Sequence, residues 1–578
     1  MKPIDFFQNP QTIAQKQYEA LRMFFVEKKS ASEVAHKFGY TYRGFTTIVS
    51  NFRKELKSGD VKELYFNELK PGRREIEQES REIIINLRKK YYSVEDIKVA
   101  LDSKGFKISE KSIYNIIREQ GFARLPRRQK LTKQSLEATG LKAEKTVTLT
   151  FAPESFKSAS AGILCLLPYI KKYGISEIIE ASDFPETSQI SKVSSILAFI
   201  ALKASNVRRY TADDLWCMDR GIGLFAGLNV LPKAAWFSSY SHRVTTDMNF
   251  KFLKALHANW QRLGLLGDTS NLDFTTIPYW GENDHLENNW SGKRSKALAS
   301  MLAVLAQDPD SGIIDYGHAN VMHKTESNVV LEFIDFYGKD FRGKRDLKYL
   351  VFDSKFTNYE NLSKIDDDNV KFITIRRRGS NMVERLNSLP KNNWKTMHIE
   401  RAGNKKATVK VIDEVIFLKG YNKDIRQICI IGHGKIKPAI IITNDFQVSR
   451  EQIVRKYARR WIVEKSISEQ ISFFHLNLVS SSMVIKVDFD LTMSIVTHNL
   501  FRLFASDTDR YAHNADQTIY DKFLENSGDI RIEENKISVQ LKKKRTLPLI
   551  LEMTKMYANQ KYEWLNNLKI EFTGAANS

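Results

Sequence analysis

Three carboxylates in this sequence stand where chemistry could be done. Asp273 lies within Thr269-Ser-Asn-Leu-Asp-Phe-Thr-Thr-Ile-Pro278, a Thr-rich, β-prone run. Asp353 ends Leu347-Lys-Tyr-Leu-Val-Phe-Asp353, a short apolar run. An aspartate at the end of a buried strand is costly unless it is paired or holds a cation. Glu464 closes Lys456-Tyr-Ala-Arg-Arg-Trp-Ile-Val-Glu464. On a helix Tyr457, Arg460 and Glu464 fall at i, i+3 and i+7, which is one face. Two carboxylates on strands and one on a helix meet only through the fold. Together they suit two Mg²⁺ ions, hard cations that take oxygen ligands. Such a pair, about 3.5–4 Å apart, serves in-line phosphoryl displacement. Asp273 is best placed to bridge both ions. Read alone, Glu464 among Arg455, Lys456, Arg459, Arg460 and Lys465 is an ordinary solvated ion pair. Asp268 and Asp284 are alternatives to Asp273, but the Thr-rich strand favours Asp273. Asp366-Asp-Asp368 reads as a solvated loop, and His318, His323 and His433 lack ligand spacing.

The elements that must position these residues follow from pattern. Residues 370–439 are β-rich, with Val370-Lys-Phe-Ile-Thr-Ile-Arg376, Lys406-Ala-Thr-Val-Lys-Val-Ile412 and Gln427-Ile-Cys-Ile-Ile431 as strands. The run Ala439-Ile-Ile-Ile-Thr-Asn444 precedes the Glu464 helix. Residues 150–265 read as helical and lead into a core over 266–369 and 440–505. Residues 506–578 read as a C-terminal helical region.

The N-terminal segment carries different signals. In residues 1–65, Val34, Ala35 and Phe38 precede Gly39, and Phe45, Ile48 and Val49 follow it. That is the form of a helix-turn-helix, with Tyr42, Arg43 and Thr46 turned outward to meet bases or phosphates. A generic helical hairpin is the plainer alternative. Residues 75–133 form a second such unit. Ser109 is its candidate cap, Ile113, Ile116 and Ile117 its core, and Lys111, Ser112 and Asn115 its outer face. Arg124, Arg127, Arg128 and Lys130 then make a basic arm, suited to phosphate contact or to life as a solvated linker.

Composition points the same way. The 578 residues carry 89 Lys and Arg against 68 Asp and Glu, a net charge of +21. That excess calls for a polyanionic partner, nucleic acid first. No apolar run is long enough for a membrane span. Cys165, Cys217 and Cys429 form no disulfide or metal pattern and fit a reducing compartment. With no signal peptide, the expected location is cytoplasmic, at the nucleoid.

Asp273-Phe-Thr-Thr-Ile-Pro, Leu-Val-Phe-Asp353-Ser-Lys-Phe-Thr-Asn and Tyr457-x2-Arg460-x3-Glu464 resemble the three catalytic blocks of bacterial insertion-sequence DDE transposases. The subgroup has an RNase H-like core, a β-rich insertion before the last Glu and a Tyr-Arg-Glu-Lys signature. Thr443-Asn444 fits as well, and the likeness covers roughly residues 190–505. It implies an α/β RNase H-like catalytic domain behind N-terminal all-α DNA-binding units. It implies Asp273, Asp353 and Glu464 as catalytic residues and metal ligands for two Mg²⁺, with Mn²⁺ able to substitute. Tyr457 and Arg460 would then touch DNA phosphate. Arg376, Arg377 and Arg378 read either as DNA contacts or as a solvated basic cluster. The signature Lys would fall at position 471, which is Ile471. The implied activity is hydrolysis at the ends of a transposon and strand transfer of the 3′-hydroxyl into target DNA. The implied partner is double-stranded DNA, held by a homodimer in a synaptic complex. A DNA-binding regulator without catalysis, or an RNase H-like nuclease without strand transfer, are the rival expectations.

Overall fold

Small polar residues start the N-terminal helices by satisfying their first free amides. The computed structural model describes residues 12–58, 78–89, 92–103, 106–120, 122, 151–187, 189–207, 214–279, 286–291, 296–338, 346–401, 405–433, 438–476 and 484–574. Two compact units divide at residues 81 and 82. In the first, Thr12 caps α1 (Ile13–Phe25), and Ser30 caps α2 (Ala31–Lys37) in a capping box with Glu33. Gly39, at φ +65°, turns the chain into α3 (Tyr42–Ser58). Ala20, Leu21, Val34, Ala35, Phe45 and Val49 make its core. Arg43 is exposed.

Helix α4 (Gln78–Lys89) crosses the division, and α5 (Val94–Ser103) and α6 (Glu110–Glu119) follow it in the second unit. Ser109 caps α6, and Ile113, Ile116 and Ile117 are its buried residues. Lys111 stands outside.

Strand β1 (Glu154–Ser158) opens the remainder. Helix α7 (Lys192–Ala204) is apolar almost all round and is buried accordingly. Helix α8 (Thr246–Arg262) packs on the large sheet, where His257 Nδ1 lies 2.8 Å from Asp315 Oδ2.

The large sheet holds β2 (Thr269–Pro278), β3 (Asn288–Ser291), β4 (Lys296–Gln307), β5 (Ile314–Val321), β6 (Tyr349–Phe352), β7 (Lys371–Ile375), β8 (Lys395–Arg401), β9 (Lys405–Leu418), β10 (Lys423–Ile431) and β11 (Ala439–Thr443). Its central order is β5-β4-β2-β6-β7. Strand β4 runs antiparallel to both β5 and β2, whereas β2, β6 and β7 are mutually parallel. Strand β6 is four consecutive buried residues, as a strand covered on both faces requires. Beyond β7 the sheet continues through β11, β10, β9 and β8, all antiparallel.

Helix α9 (Arg450–Phe473) and helix α10 (Val484–Ser506) follow. Asp488 of α10 accepts from the Ala319 amide of β5 and from Asn249 of α8. Burial pushes its carboxyl up.

Two expectations are corrected. Residues 506–578 are not simply helical. They contain β12 (Gly528–Ile532), β13 (Lys536–Leu541), β14 (Lys561–Tyr562) and β15 (Leu568–Gly574), which join β1 in a five-stranded sheet ordered β1-β12-β13-β15-β14. Their residues alternate buried and exposed, the period-two pattern of a half-buried strand. Strand β1 also makes residues 150–265 less than wholly helical. Second, β7 lies within the 370–439 stretch read as insertion, yet it pairs in parallel with β6 and belongs to the central strands. The stretch adds strands to that sheet's edge. No helix among the described residues is long and apolar enough to cross a membrane.

Candidate active site

Strand register brings two of the three carboxylates together. Leu272 of β2 is paired with Phe352 of β6 in the parallel ladder. Asp273 and Asp353 are the next residues, so they stand side by side where β6 stops and β2 runs on. Asp353 leaves the strand by capping the turn Ser354–Phe356. Its Oδ1 accepts from the Ser354 amide at 2.6 Å. Asp273 Oδ1 accepts from the Phe274 amide at 2.8 Å. The ring of Phe274 stacks on that of Phe356, with centroids 3.8 Å apart and planes within 5°. This contact ties the two strand ends together. A Phe shortly after each Asp was its only sequence signal.

Helix α9 lies over these strands. Its start is a capping box in which the Gln452 amide donates to Ser449 Oγ and the Ser449 amide donates to Gln452 Oε1. Ile453 and Val454 are buried against Tyr349, Val351, Ile373 and Ile441, with Tyr457 packed beside them. One turn on, the basic residues reach β2. Lys456 Nζ donates to Thr269 Oγ1 at 3.0 Å and lies 4.2 Å from the centre of the Tyr349 ring. Arg460 Nη1 lies 3.4 Å from Asp273 Oδ2, with its side chain 4% exposed and that of Asp273 12%. The Arg460 guanidinium is also 5.4 Å from the centre of the Tyr457 ring. Glu464 stands on the same helix one turn beyond Arg460. Its side chain lies outside the described residues, as do those of residues 461–466 and 468–470.

The other predicted residues are dispersed. Arg376 and Arg377 follow β7 at the end of the sheet that carries Asp353, since Phe352 pairs with Thr374. Arg376 Nη1 donates to Gln427 Oε1 at 2.7 Å, while Arg377 is exposed. Arg43 and Lys111 are surface residues on α3 and α6. Arg124, Arg127 and Arg128 lie outside the described residues, as does Asp284. Asp268 lies just before β2, away from the Asp273–Asp353 junction, and accepts from Thr269 Oγ1.

Further polar residues hold this frame, and among them Asp366 corrects the reading of Asp366-Asp-Asp368 as a solvated loop, since it lies at the end of a helix over Tyr359–Asp367 and is bonded by Asn444. Asn444 donates to Asp366 Oδ1 and to the Val370 carbonyl and accepts from the Phe372 amide. Asp366 is thus a bracing group, also paired with Lys423. The Tyr349 hydroxyl donates to Asp445 Oδ2 at 2.6 Å. Burial raises the Asp445 carboxyl, but the Tyr349 hydroxyl and the amides of Gln447 and Val448 outweigh it and hold it below the usual range. Burial pushes the Tyr349 phenol up.

A hard divalent cation fits this donor set. The two aspartates follow adjacent register positions, each with one carboxylate oxygen steadied by a backbone amide. No group of three His, Cys, Asp or Glu side chains gathers around a common point among the described residues.

The comparisons with known proteins bear on this arrangement. The family model described as the transposase DDE domain matches residues 269–500. That span begins at the first residue of β2 and ends within α10. No curated protein matches the chain. A piggyBac transposase, solved as a synaptic complex with hairpin DNA, is similar at 12% identity and a TM-score of 0.31. The match covers 63% of this chain and 80% of that one. That score supports no inference from one structure to the other.

Proposed function

We propose, from the match of residues 269–500 to the transposase DDE domain family, that the chain cuts DNA at the ends of a mobile element and joins the freed 3′-hydroxyl to target DNA. The observation that carries this reading is the Leu272–Phe352 pairing, which sets Asp273 beside Asp353 under the helix that bears Glu464. In this reading Asp273, Asp353 and Glu464 are the metal ligands. Mg²⁺ or Mn²⁺ held there would supply Lewis acidity for phosphoryl transfer. In the first step water attacks phosphorus and the 3′-oxygen leaves. In the second that 3′-hydroxyl attacks a target phosphodiester, forming one P–O bond as another breaks.

The rest of the chain supports the same reading. The order β5-β4-β2-β6-β7, antiparallel on one side and parallel on the other, supports an RNase H-like core. The exposed faces of α3 and α6, with Arg43 and Lys111, support helix-turn-helix units that grip duplex DNA. Arg376 and Arg377 stand at the Asp353 end of the sheet, in reach of a bound backbone. The net charge of +21 favours that polyanion over any acidic small molecule. Two ends must be handled together, so a homodimer is the proposed working unit.

The test is a cleavage assay with the full chain, a duplex carrying the DNA that flanks its gene, and Mg²⁺ or EDTA, with Glu464→Gln in parallel. The expected result is Mg²⁺-dependent cutting at the end boundary that Glu464→Gln abolishes. Specific binding without cutting under any divalent metal would instead make the chain a DNA-binding regulator. Cutting without joining of a supplied 3′-hydroxyl end would make it a nuclease.

A further inference from the structure

Asp273 and Asp353 differ in what faces them. Both oxygens of Asp273 are engaged, Oδ1 by the Phe274 amide and Oδ2 by Arg460. The Arg460 guanidinium is buried, and its helix is anchored by Ile453 and Val454 beneath it. Among the described residues no cation pairs with Asp353.

An arginine at this place has consequences that a lysine would not. Its charge cannot be removed by any accessible pH. A divalent cation must therefore displace it from Asp273 or share the carboxylate against its repulsion. The planar fork also suits a phosphate better than a lone carboxylate oxygen, because it can bind two phosphate oxygens at once. The Tyr457 ring, 5.4 Å from the guanidinium, offers a surface along which the group can move while keeping a partner.

We infer that the Arg460 guanidinium holds the place of a divalent cation at Asp273 until a DNA phosphate draws it away. The inference rests on Asp273 being a metal ligand, as proposed above. DNA and metal then bind cooperatively. A phosphate that engages Arg460 uncovers Asp273, and a cation at Asp273 frees Arg460 for phosphate. The coupling is reciprocal by thermodynamic necessity. It keeps the free protein poor in metal and reserves the charged site for the DNA-bound state.

The experiment measures Mn²⁺ binding to the full chain without DNA, by electron paramagnetic resonance of the unbound ion. Variants are Arg460→Gln, Arg460→Met, Arg460→Lys, and Asp273→Asn in the Arg460→Gln background. Circular dichroism melts check that each is folded. Removing one unit charge a few ångströms from a divalent ion should tighten binding by about tenfold or more, even at the dielectric constant of water. Arg460→Gln and Arg460→Met should both show that gain. Arg460→Met retains the apolar packing of the stem, so it serves if the Gln variant fails to fold. Arg460→Lys, which keeps the charge, should stay near the unmodified protein. Adding Asp273→Asn should erase the gain. If the neutral variants bind Mn²⁺ no more tightly while Asp273→Asn weakens binding, the inference is overturned and the metal-ligand reading survives. If Asp273→Asn changes nothing, the metal-ligand reading falls, and the inference falls with it.

Discussion

On the outer strands of the large sheet, Arg426 of β10 grips Asp413 of β9 through two bonds, at 2.7 and 3.0 Å, and donates to the Val448 carbonyl as well. Glu414 takes Gln427 and Arg385 in the same way, from neighbouring strands and a nearby helix. At the β2–β6 junction the pattern is different. Asp273 meets Arg460 across 187 residues of chain, and Asp353 is held by its own next amide. The outer strands satisfy their charges with near neighbours, as cross-strand pairs do in any antiparallel sheet. The junction gathers charges from distant segments and leaves a carboxylate pair at a strand end. Paired charge of the first kind stabilises a surface. The second kind costs stability, and under the proposed function it serves the chemistry.

If that contrast holds, the two regions should fail differently. The largest effect is expected from Asp353→Ala. Losing one ligand of a Lewis-acid site removes several kcal/mol of transition-state stabilisation, so cleavage should fall about a thousandfold or more. Thermal unfolding should move little, because only one turn cap is lost, at about 1 kcal/mol. A melt shift as large as that of a core deletion would remove the contrast. Next comes Arg426→Ala, which strands Asp413 and the backbone carbonyls of Asp445 and Val448. It should cost about 1–3 kcal/mol in denaturant unfolding while the folded fraction cleaves normally. Lost cleavage in folded protein would tie the outer strands to the chemistry.

The smallest effect sharpens the comparison through pH. Asp445 braces the strand before α9, and its folded carboxyl lies below its ordinary value. A depressed value means that its contribution is complete above the ordinary aspartate range, near about pH 4, and is lost as pH falls through the folded value. The stability gap between the unmodified protein and Asp445→Asn should therefore be widest at neutral pH and close in acid. A gap independent of pH would show that the Tyr349–Asp445 bond acts by shape alone.

Much of this site was legible along the chain. The run ending at Asp353 announced a buried strand because four apolar residues in a row have no solvent face. The Tyr457, Arg460 and Glu464 spacing announced one helix face, and Ser109 announced its helix. The role of Arg460 was less legible. Its spacing said where it points on the helix but not that Asp273 lies 3.4 Å from it. The C-terminal strands were missed because short alternating segments have no helix-length signal to set them apart, and one of them, β12, takes its other partner, β1, from hundreds of residues earlier. The place of β7 was misjudged for a related reason. A β-prone run does not state which strands it will pair with, and β7 sits between β6, in parallel, and β11, in antiparallel, so it joins the central strands to the hairpins that follow.

The sequence by itself determined the residue types that can do this chemistry, the elements that carry them and the basic charge that selects a polyanion. Those are local properties, written in side-chain chemistry, periodicity and composition. Only the tertiary structure decided that Asp273 and Asp353 stand side by side, that Arg460 closes on one of them, and that the insertion strands extend the same sheet. Those facts depend on the register of parallel strands far apart in the chain. Register is set by the sum of buried contacts across the whole sheet, which no single stretch of sequence contains.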